Sequence, residues 1–450
     1  MRKKWKKAIA LLLCLMMAGT LAACGGNNND KPSGGNTNKP GDGDEPGTEA
    51  DIPDYVTAPV TIEFWHTLSS DAATALDEMV AEFNASNEYG ITVNATYQGG
   101  YYDVLSKTIS SYGTNTAPTM VVIGAGGIEQ LADAGALADM AAYIERDNWD
   151  YENIPETLRF YMQHYDGQFI EFPYLVSTAV IYYNKALFDK EPESLEEWVS
   201  MAEEITKSNS GVYGMAMALD TGFIQRPILK SLGAPGLTNA TGDGPATLDD
   251  GSLKTYLTDW KSWIDDGFCM PVTVTDFGSK MQNQFVQGKL ASFVLSTANM
   301  NNIEQLSKES GIDLGVAKMV GYGGYDAAIG GGGISILEDS TQQEKAAAWE
   351  FLKFLLTDEN QITMHQASSY LPFTTTARAS EELAALWEDH PGFAAAAEQL
   401  EWATYNDWSI YLSEWRTQIG NCFSAVLVDG SMTPDEAVEY LRTQANVIFP

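Results

Sequence analysis

Between Val60 and Gly124 the chain alternates β-branched runs with helical apolar stripes, and this rhythm restricts its fold more than any other feature. Val60-Thr61-Ile62-Glu63-Phe64-Trp65 reads as a strand. From Asp71 to Asn84, Leu76, Met79, Val80 and Phe83 recur at helical spacing. Ile91–Tyr97 alternates as a second strand, Tyr102–Ser111 is helical, and Met120-Val121-Val122-Ile123 is an unbroken apolar strand. Parallel strands need crossover helices that cover both sheet faces, so the expected class is α/β. Further strands are expected at Gln168–Pro173 and Ala179–Tyr183. Helices are expected at Leu195–Lys207, Leu253–Asp266, Gln342–Thr357, Glu381–Glu388 and Pro434–Ile448, with loops across Gly211–Gly251. The length suffices for two such α/β lobes.

The first 23 residues stand apart. Arg2, Lys3, Lys4, Lys6 and Lys7 precede an apolar run from Ala8 to Met17, the order of a secretory signal. It closes on Leu21-Ala22-Ala23-Cys24, which resembles the lipobox of bacterial lipoproteins; the resemblance implies cleavage before Cys24 and a lipid on its thiol. Residues 24–55 turn to Gly, Asn, Asp, Pro and Thr and hold too little apolar surface to offset chain ordering. As a flexible coil of roughly 5–6 Å × √n, this linker reaches about 30 Å from a membrane.

Loss of the signal's five basic residues leaves 21 of the 26 Lys and Arg against 61 Asp and Glu, about −40. Such a polyanion repels nucleic acid and anionic lipid, and no basic run survives to reverse this. The four histidines, His66, His164, His365 and His390, are scattered, with no Cys/His cluster at metal-ligand spacing. No metal or cofactor is expected. Cys269 and Cys422 remain either a disulfide or two buried thiols, because geometry decides between them.

Several short segments, taken in order, carry a resemblance. They are Phe64-Trp65-His66, Phe83-Asn84, Tyr97-Gln98-Gly99-Gly100-Tyr101, Ala117-Pro118-Thr119, Pro173 to Ser177, and Tyr182-Tyr183-Asn184-Lys185 with Phe188. Gly330-Gly331, His365-Gln366, Tyr370-Leu371-Pro372 and Met432 to Ala437 complete the set. From Val60 to the C-terminus the chain resembles the extracellular solute-binding proteins of bacterial ABC sugar importers (family 1), and within them the glycerol-3-phosphate-binding subgroup. The resemblance implies a type II periplasmic-binding-protein fold: two lobes, each a mainly parallel sheet flanked by helices and discontinuous in sequence. Carried over, lobe one holds 56–175 and 303–365, and lobe two 178–300 and 370–450. It further implies a monomer that closes over a small-molecule sugar and delivers it to the permease subunits. With the lipid anchor, this places the protein on the outer face of the cytoplasmic membrane of a Gram-positive cell.

A sugar site needs rings to stack on C–H faces and short polar groups to meet hydroxyls. Trp65 and His66 end the first strand, where parallel sheets place ligands, though Trp65 could equally plug the core. Tyr101 follows a glycine turn and matches a ligand-contacting tyrosine of the subgroup. Ser177 matches a ligand-contacting serine at the first crossing between lobes, and Ser296, Thr297 and Asn299 lie at the second. Gly330 and Gly331 are expected to offer backbone contacts. A phosphate loop there lacks the lysine or helix that would support it. Tyr370 is the foremost candidate, and Phe223 falls near a cleft tryptophan of the relatives. Trp402, Tyr405, Trp408, Tyr411 and Trp415 form either a cleft cluster or a buried helical stripe; Trp408 is taken as the cleft candidate.

Two departures favour a neutral oligosaccharide over glycerol-3-phosphate. Ala125 stands where the subgroup has a glutamate, and Ser409 where it has an arginine, with Arg416 a turn too far along. Without a cation, a phosphate loses charge-assisted bonds of about 1.5–3 kcal/mol each, while the smaller side chains leave room for a longer ligand. Glycerol-3-phosphate or a glycerophosphodiester is the alternative ligand. The rival classes are a secreted carbohydrate-active enzyme and a sensor subunit. Carboxylate pairs alone do not decide against an enzyme, but no Gly-x-Ser-x-Gly elbow or metal motif supports one. The lipobox makes a direct prediction: mass spectrometry of the mature protein finds diacylglycerol on Cys24, and Cys24→Ser releases the protein into the medium.

Overall fold

The computed structural model describes residues 54–124, 127–163, 166–273, 277–405 and 407–450, apart from the side chain of Tyr161. The signal, Cys24, the linker to residue 53, Ala125 and His164 lie outside the described residues. The described residues form ten strands: β1 Val60–His66, β2 Ile91–Tyr97, β3 Met120–Gly124, β4 Phe172–Asn184, β5 Ala216–Met217, β6 Ser292–Ser296, β7 Leu314–Lys318, β8 Val320–Gly321, β9 Gly324–Tyr325 and β10 Ile329–Ile336. Eight of them build one sheet in the order β2-β1-β3-β10-β4-β6-β5, with β7 also on β4; β8 and β9 pair as a small hairpin.

The strand–helix alternation has the expected result at the outer edges, where β1 pairs in parallel with β2 and β3 and β5 in parallel with β6. The centre runs the other way: β10 is antiparallel to β3 and β4, and β4 is antiparallel to β6 and β7. β4 belongs to both halves of the sheet. Its residues 172–178 pair with β10 and its residues 179–184 with β6 and β7. The strand expected at 168–173 begins only at Phe172 and is continuous with the one expected at 179–183. Every residue from Phe172 to Tyr183 is buried, so no polar face interrupts the run. Pairing also moves a boundary: Leu314–Lys318, expected in lobe one with 303–365, stands with the second half of β4.

Helices follow their apolar spacing. Ser70–Ser86 buries Ala72, Leu76, Met79, Val80 and Phe83 on one face. Thr341 with Glu344 and Thr433 with Glu436 form capping boxes at the starts of Gln342–Leu355 and Pro434–Ile448, satisfying amide groups the helix leaves unpaired. The Gly211–Gly251 stretch is not all loop. Asp220 caps a wide helical turn over Thr221–Gln225 by accepting from the Phe223 amide, and helix Arg226–Ser231 follows directly. Cys269 and Cys422 are two free buried thiols, both pushed up to about 12 by burial, and hence inert.

β10 carries four consecutive glycines, and the packing explains them. A Cβ on Gly330 would lie 2.4 Å from the Phe223 ring, and one on Gly332 would lie 2.6 Å from the Tyr101 ring. At Gly331, φ is +99° and a Cβ would fall 1.6 Å from the Leu175 carbonyl oxygen of the neighbouring β4. No side chain fits there without moving backbone. Gly331→Ala is accordingly expected to cost about 3 kcal/mol or more, read as a lowered urea midpoint; a variant within about 0.5 kcal/mol of wild type would show that the strands separate easily.

Candidate functional site

A cavity of about 340 Å³ opens where β4, paired with β10, passes from one half of the sheet to the other. Tyr101, Ile123 and Gly124 line it from the first half; Asp220, Phe223, Ser296 and Arg416 line it from the second. Ser177, Gly330, Gly331 and Tyr370 form its floor and wall at the crossing. Ser177 lies directly opposite Gly330 in the β4–β10 register.

Each ring is fixed by an identifiable contact. Tyr101 lies against Gly124 and Gly332, where any Cβ would enter its ring, and its hydroxyl is 3.3 Å from that of Tyr370. Tyr370 follows Ser369, whose φ of 62° ends the helix Asp358–Ser368. The next residue, Leu371, donates its amide to the Val176 carbonyl at 2.7 Å and so ties the turn to β4. His365 Nδ1 donates to the Tyr370 carbonyl at 2.8 Å, while Nε2 accepts from Trp387 Nε1 at 3.0 Å. Indole N–H can only donate, so this ring is neutral with its proton on Nδ1. Burial agrees, pushing the His365 pKa down to about 4.

The charged groups of this cavity form a pair. Arg416 NH2 meets Asp220 Oδ1 at 3.2 Å. Arg416 was expected to sit a turn too far along, but helix Leu412–Leu427 runs close to the Thr221 turn and brings it in. Ser409, expected to leave space, is buried and donates its hydroxyl to the Gly242 carbonyl at 2.5 Å. The expectation that Arg416 lies out of reach is thereby corrected, and the space expected at Ser409 is filled by its own packing. Beneath lie two further carboxyls, Glu129 and Glu171, exposed by only 1% and 4%. Burial raises the pKa of both, and the charge of Glu129 raises Glu171 further.

The other expected residues are elsewhere. Trp65 lines an open groove with Lys107, Ser110 and Thr114. His66 is buried, with its Nδ1 accepting from the Leu68 amide at 3.3 Å. They end β1 but are not among the residues that line the cavity. Thr297 is fully buried; its hydroxyl accepts from the Thr178 amide, bracing the crossing. Asn299 donates to the Ser296 carbonyl at 3.4 Å and does not line the cavity. The late aromatic run divides. Trp415 is buried on its helix, whereas Trp402, Tyr405 and Trp408 line a second cavity of about 1050 Å³ with Phe160, Arg159, Arg226 and Lys230. A crevice of only about 20 Å³, bounded by Glu171, Gly330–Gly333 and Tyr405, lies between the two. Asp220 and the cations of the larger cavity escaped the sequence reading, since only the fold brings 159, 226–230 and 402–408 together.

This architecture has known counterparts. The chain belongs to the family of bacterial extracellular solute-binding proteins, whose model matches residues 78–395. That makes it the solute-binding component of an ABC transporter and not an enzyme. It is 23% identical over 350 residues to the sn-glycerol-3-phosphate-binding periplasmic protein UgpB of Rhizobium meliloti, covering 74% of this chain and 80% of the relative. Its fold is similar to that of UgpB from Mycobacterium tuberculosis in complex with glycerophosphocholine. The TM-score is 0.75 at 20% identity, over 87% of this chain and 98% of the other. It is also similar to the GacH receptor of Streptomyces glaucescens, whose structures include a complex with acarbose. There the TM-score is 0.73 at 20% identity, over 87% and 99% of the two chains. Among the described residues, no helix is long and apolar enough to cross a membrane.

The neutral His365 gives a pH prediction. Its folded pKa, about 4, lies below the ordinary histidine value of 6.5, so the unfolded chain binds more protons as pH falls. Its contribution is intact above about 6.5 and is lost toward pH 4, with a limiting slope of about 1.4 kcal/mol per pH unit. Stability measured by urea across this window should fall less steeply for His365→Gln than for wild type; parallel curves would mean that the ring is not held neutral.

Proposed function

We propose that this protein is a lipid-anchored receptor that captures a carbohydrate in the cleft between two lobes and delivers it to an ABC permease. Lobe one is the half of the sheet carrying β2, β1, β3, β10 and the start of β4; lobe two carries the remainder. The observation that carries the reading is the convergence of both halves on one cavity lined by Tyr101, Phe223 and Tyr370. Rings of this kind stack on sugar C–H faces, and the paired Arg416 and Asp220 supply a donor and an acceptor without net charge. Such a lining suits the neutral hydroxyls of a sugar better than a phosphate. Ligand that contacts both halves favours the closed arrangement over the open one.

Cys24 and the linker that follows would hold a monomeric receptor at the outer face of the cytoplasmic membrane, as a Gram-positive cell requires. A second reading, a glycerophosphodiester, draws on Arg416 itself and on relatives named for glycerol-3-phosphate.

A thermal-shift screen of mono- and oligosaccharides, glycerol-3-phosphate and glycerophosphocholine separates the two. Saccharides are expected to raise Tm, by about 2.7 kcal/mol of added stability at 100-fold excess over Kd. Stabilisation by phosphorylated ligands alone would establish the second reading. Tyr370→Ala is expected to weaken saccharide binding at least 10-fold in calorimetric titration; unchanged affinity would remove this cavity from the site.

A further inference from the structure

The larger cavity differs from the smaller one in how its charges are paired. Three carboxylates line it, and two are already engaged. Asp407 accepts from Arg226 Nε and from the Thr238 amide, both at 2.8 Å, and also from the Leu237 amide. Glu401 pairs with Arg378 at 2.6 Å. The third, Glu156, is exposed to solvent at the rim.

Two cations make no such contact, although the charges of Asp326 and Asp407 act on Lys230 from farther away. Among the described residues, no carboxylate is in ion-pair contact with Lys230 or Arg159. Lys230 Nζ is held at 3.1 Å by the hydroxyl of Thr404, with Arg226 bound to the same hydroxyl at 3.0 Å. Arg159 lies with its guanidinium 5.7 Å from the Tyr151 ring centre, and its Nε is buried without a hydrogen-bond partner. For Lys230 the charges of Asp326 and Asp407 offset only part of the cost of burial, and an incoming anion relieves the rest through charge-assisted hydrogen bonds. The surrounding wall is aromatic: Phe160 and Tyr405 are stacked at 5.8 Å, and Trp402 and Trp408 complete it.

We propose that the larger cavity is a subsite for an acidic sugar, whose carboxylate or phosphate ester is held by Lys230 and Arg159 while its ring lies against the Trp402–Trp408 wall. The proposal rests on the carbohydrate reading above and sharpens it: the ligand's neutral part occupies the smaller cavity and its acidic residue the larger. The chain's net charge of −35 does not oppose this, because exposed charges more than about 8–10 Å away are screened at physiological salt.

The test is calorimetric titration of the mature full-length chain with matched pairs: glucuronate against glucose, trigalacturonate against its methyl ester, and glucose 6-phosphate against glucose. The first two pairs read a carboxylate and the third a phosphate. In at least one pair the acidic member is expected to bind 10-fold tighter or more at low salt, with the ratio shrinking in Lys230→Met and in 0.5 M salt. Arg159→Gln gives the same comparison should Lys230→Met fail to fold. Equal or tighter binding of the neutral member in every pair overturns the proposal and leaves the carbohydrate reading standing. A preference that survives both substitutions also overturns it. Binding of glycerophosphocholine but of no saccharide overturns the carbohydrate reading itself.

Discussion

The close approach of β10 to β4 at Gly331 is the constraint on which the rest of the structure depends. Only a residue without a side chain can take a φ of +99° beside the Leu175 carbonyl, and this contact sits where the sheet passes from one half to the other. The neighbouring glycines extend the same principle outward. Gly330 admits Phe223, and Gly124 with Gly332 admits Tyr101, so rings from opposite halves reach one cavity through space left by missing side chains. A loop of this composition invites a phosphate-binding interpretation. Here the glycines serve ring packing and strand approach instead.

Charge is distributed just as selectively. A chain with 61 acidic and 26 basic residues commits several of its few cations to the two cavities: Arg416, Arg226, Arg159 and Lys230. Asp220 and Asp407 balance two of them, while burial raises the pKa of Glu129 and Glu171 and disfavours negative charge beneath. The smaller cavity therefore offers hydrogen bonds without net charge, and the larger one keeps two cations, Lys230 and Arg159, outside any ion-pair contact. Stability near the site has the same character. His365 is neutral because Trp387 and the Tyr370 carbonyl fix its tautomer, and it positions the turn that presents Tyr370.

Much of the fold was legible wherever a local signal existed. The strands and helices from Val60 to Gly124, and the capped helices beginning at Gln342 and Pro434, follow apolar periodicity and side-chain caps that any reader of the sequence can find. β10 was not legible, because four glycines erase the strand signal and its pairing partners are more than 140 residues away. The break expected inside β4 has a similar cause: a fully buried run carries no alternation to show that it is continuous. Of the site, Tyr101, Ser177, Phe223, Ser296, Gly330, Gly331 and Tyr370 come together at one cavity. Trp65 and His66 do not, because strand-end position fixes where a residue is along the sheet but not what covers it. Arg416 reaches the cavity because its helix, Leu412–Leu427, packs against the Thr221 turn, a contact with no local signal in the sequence.

The most direct measurement is a crystal structure of the protein with a bound saccharide. The account predicts a sugar ring against Phe223 and Tyr370, with hydroxyls reaching Ser177, Asp220 and Arg416 and the backbone of Gly330-Gly331. A saccharide seated in the groove beside Trp65, or one touching only one half of the sheet, would contradict it.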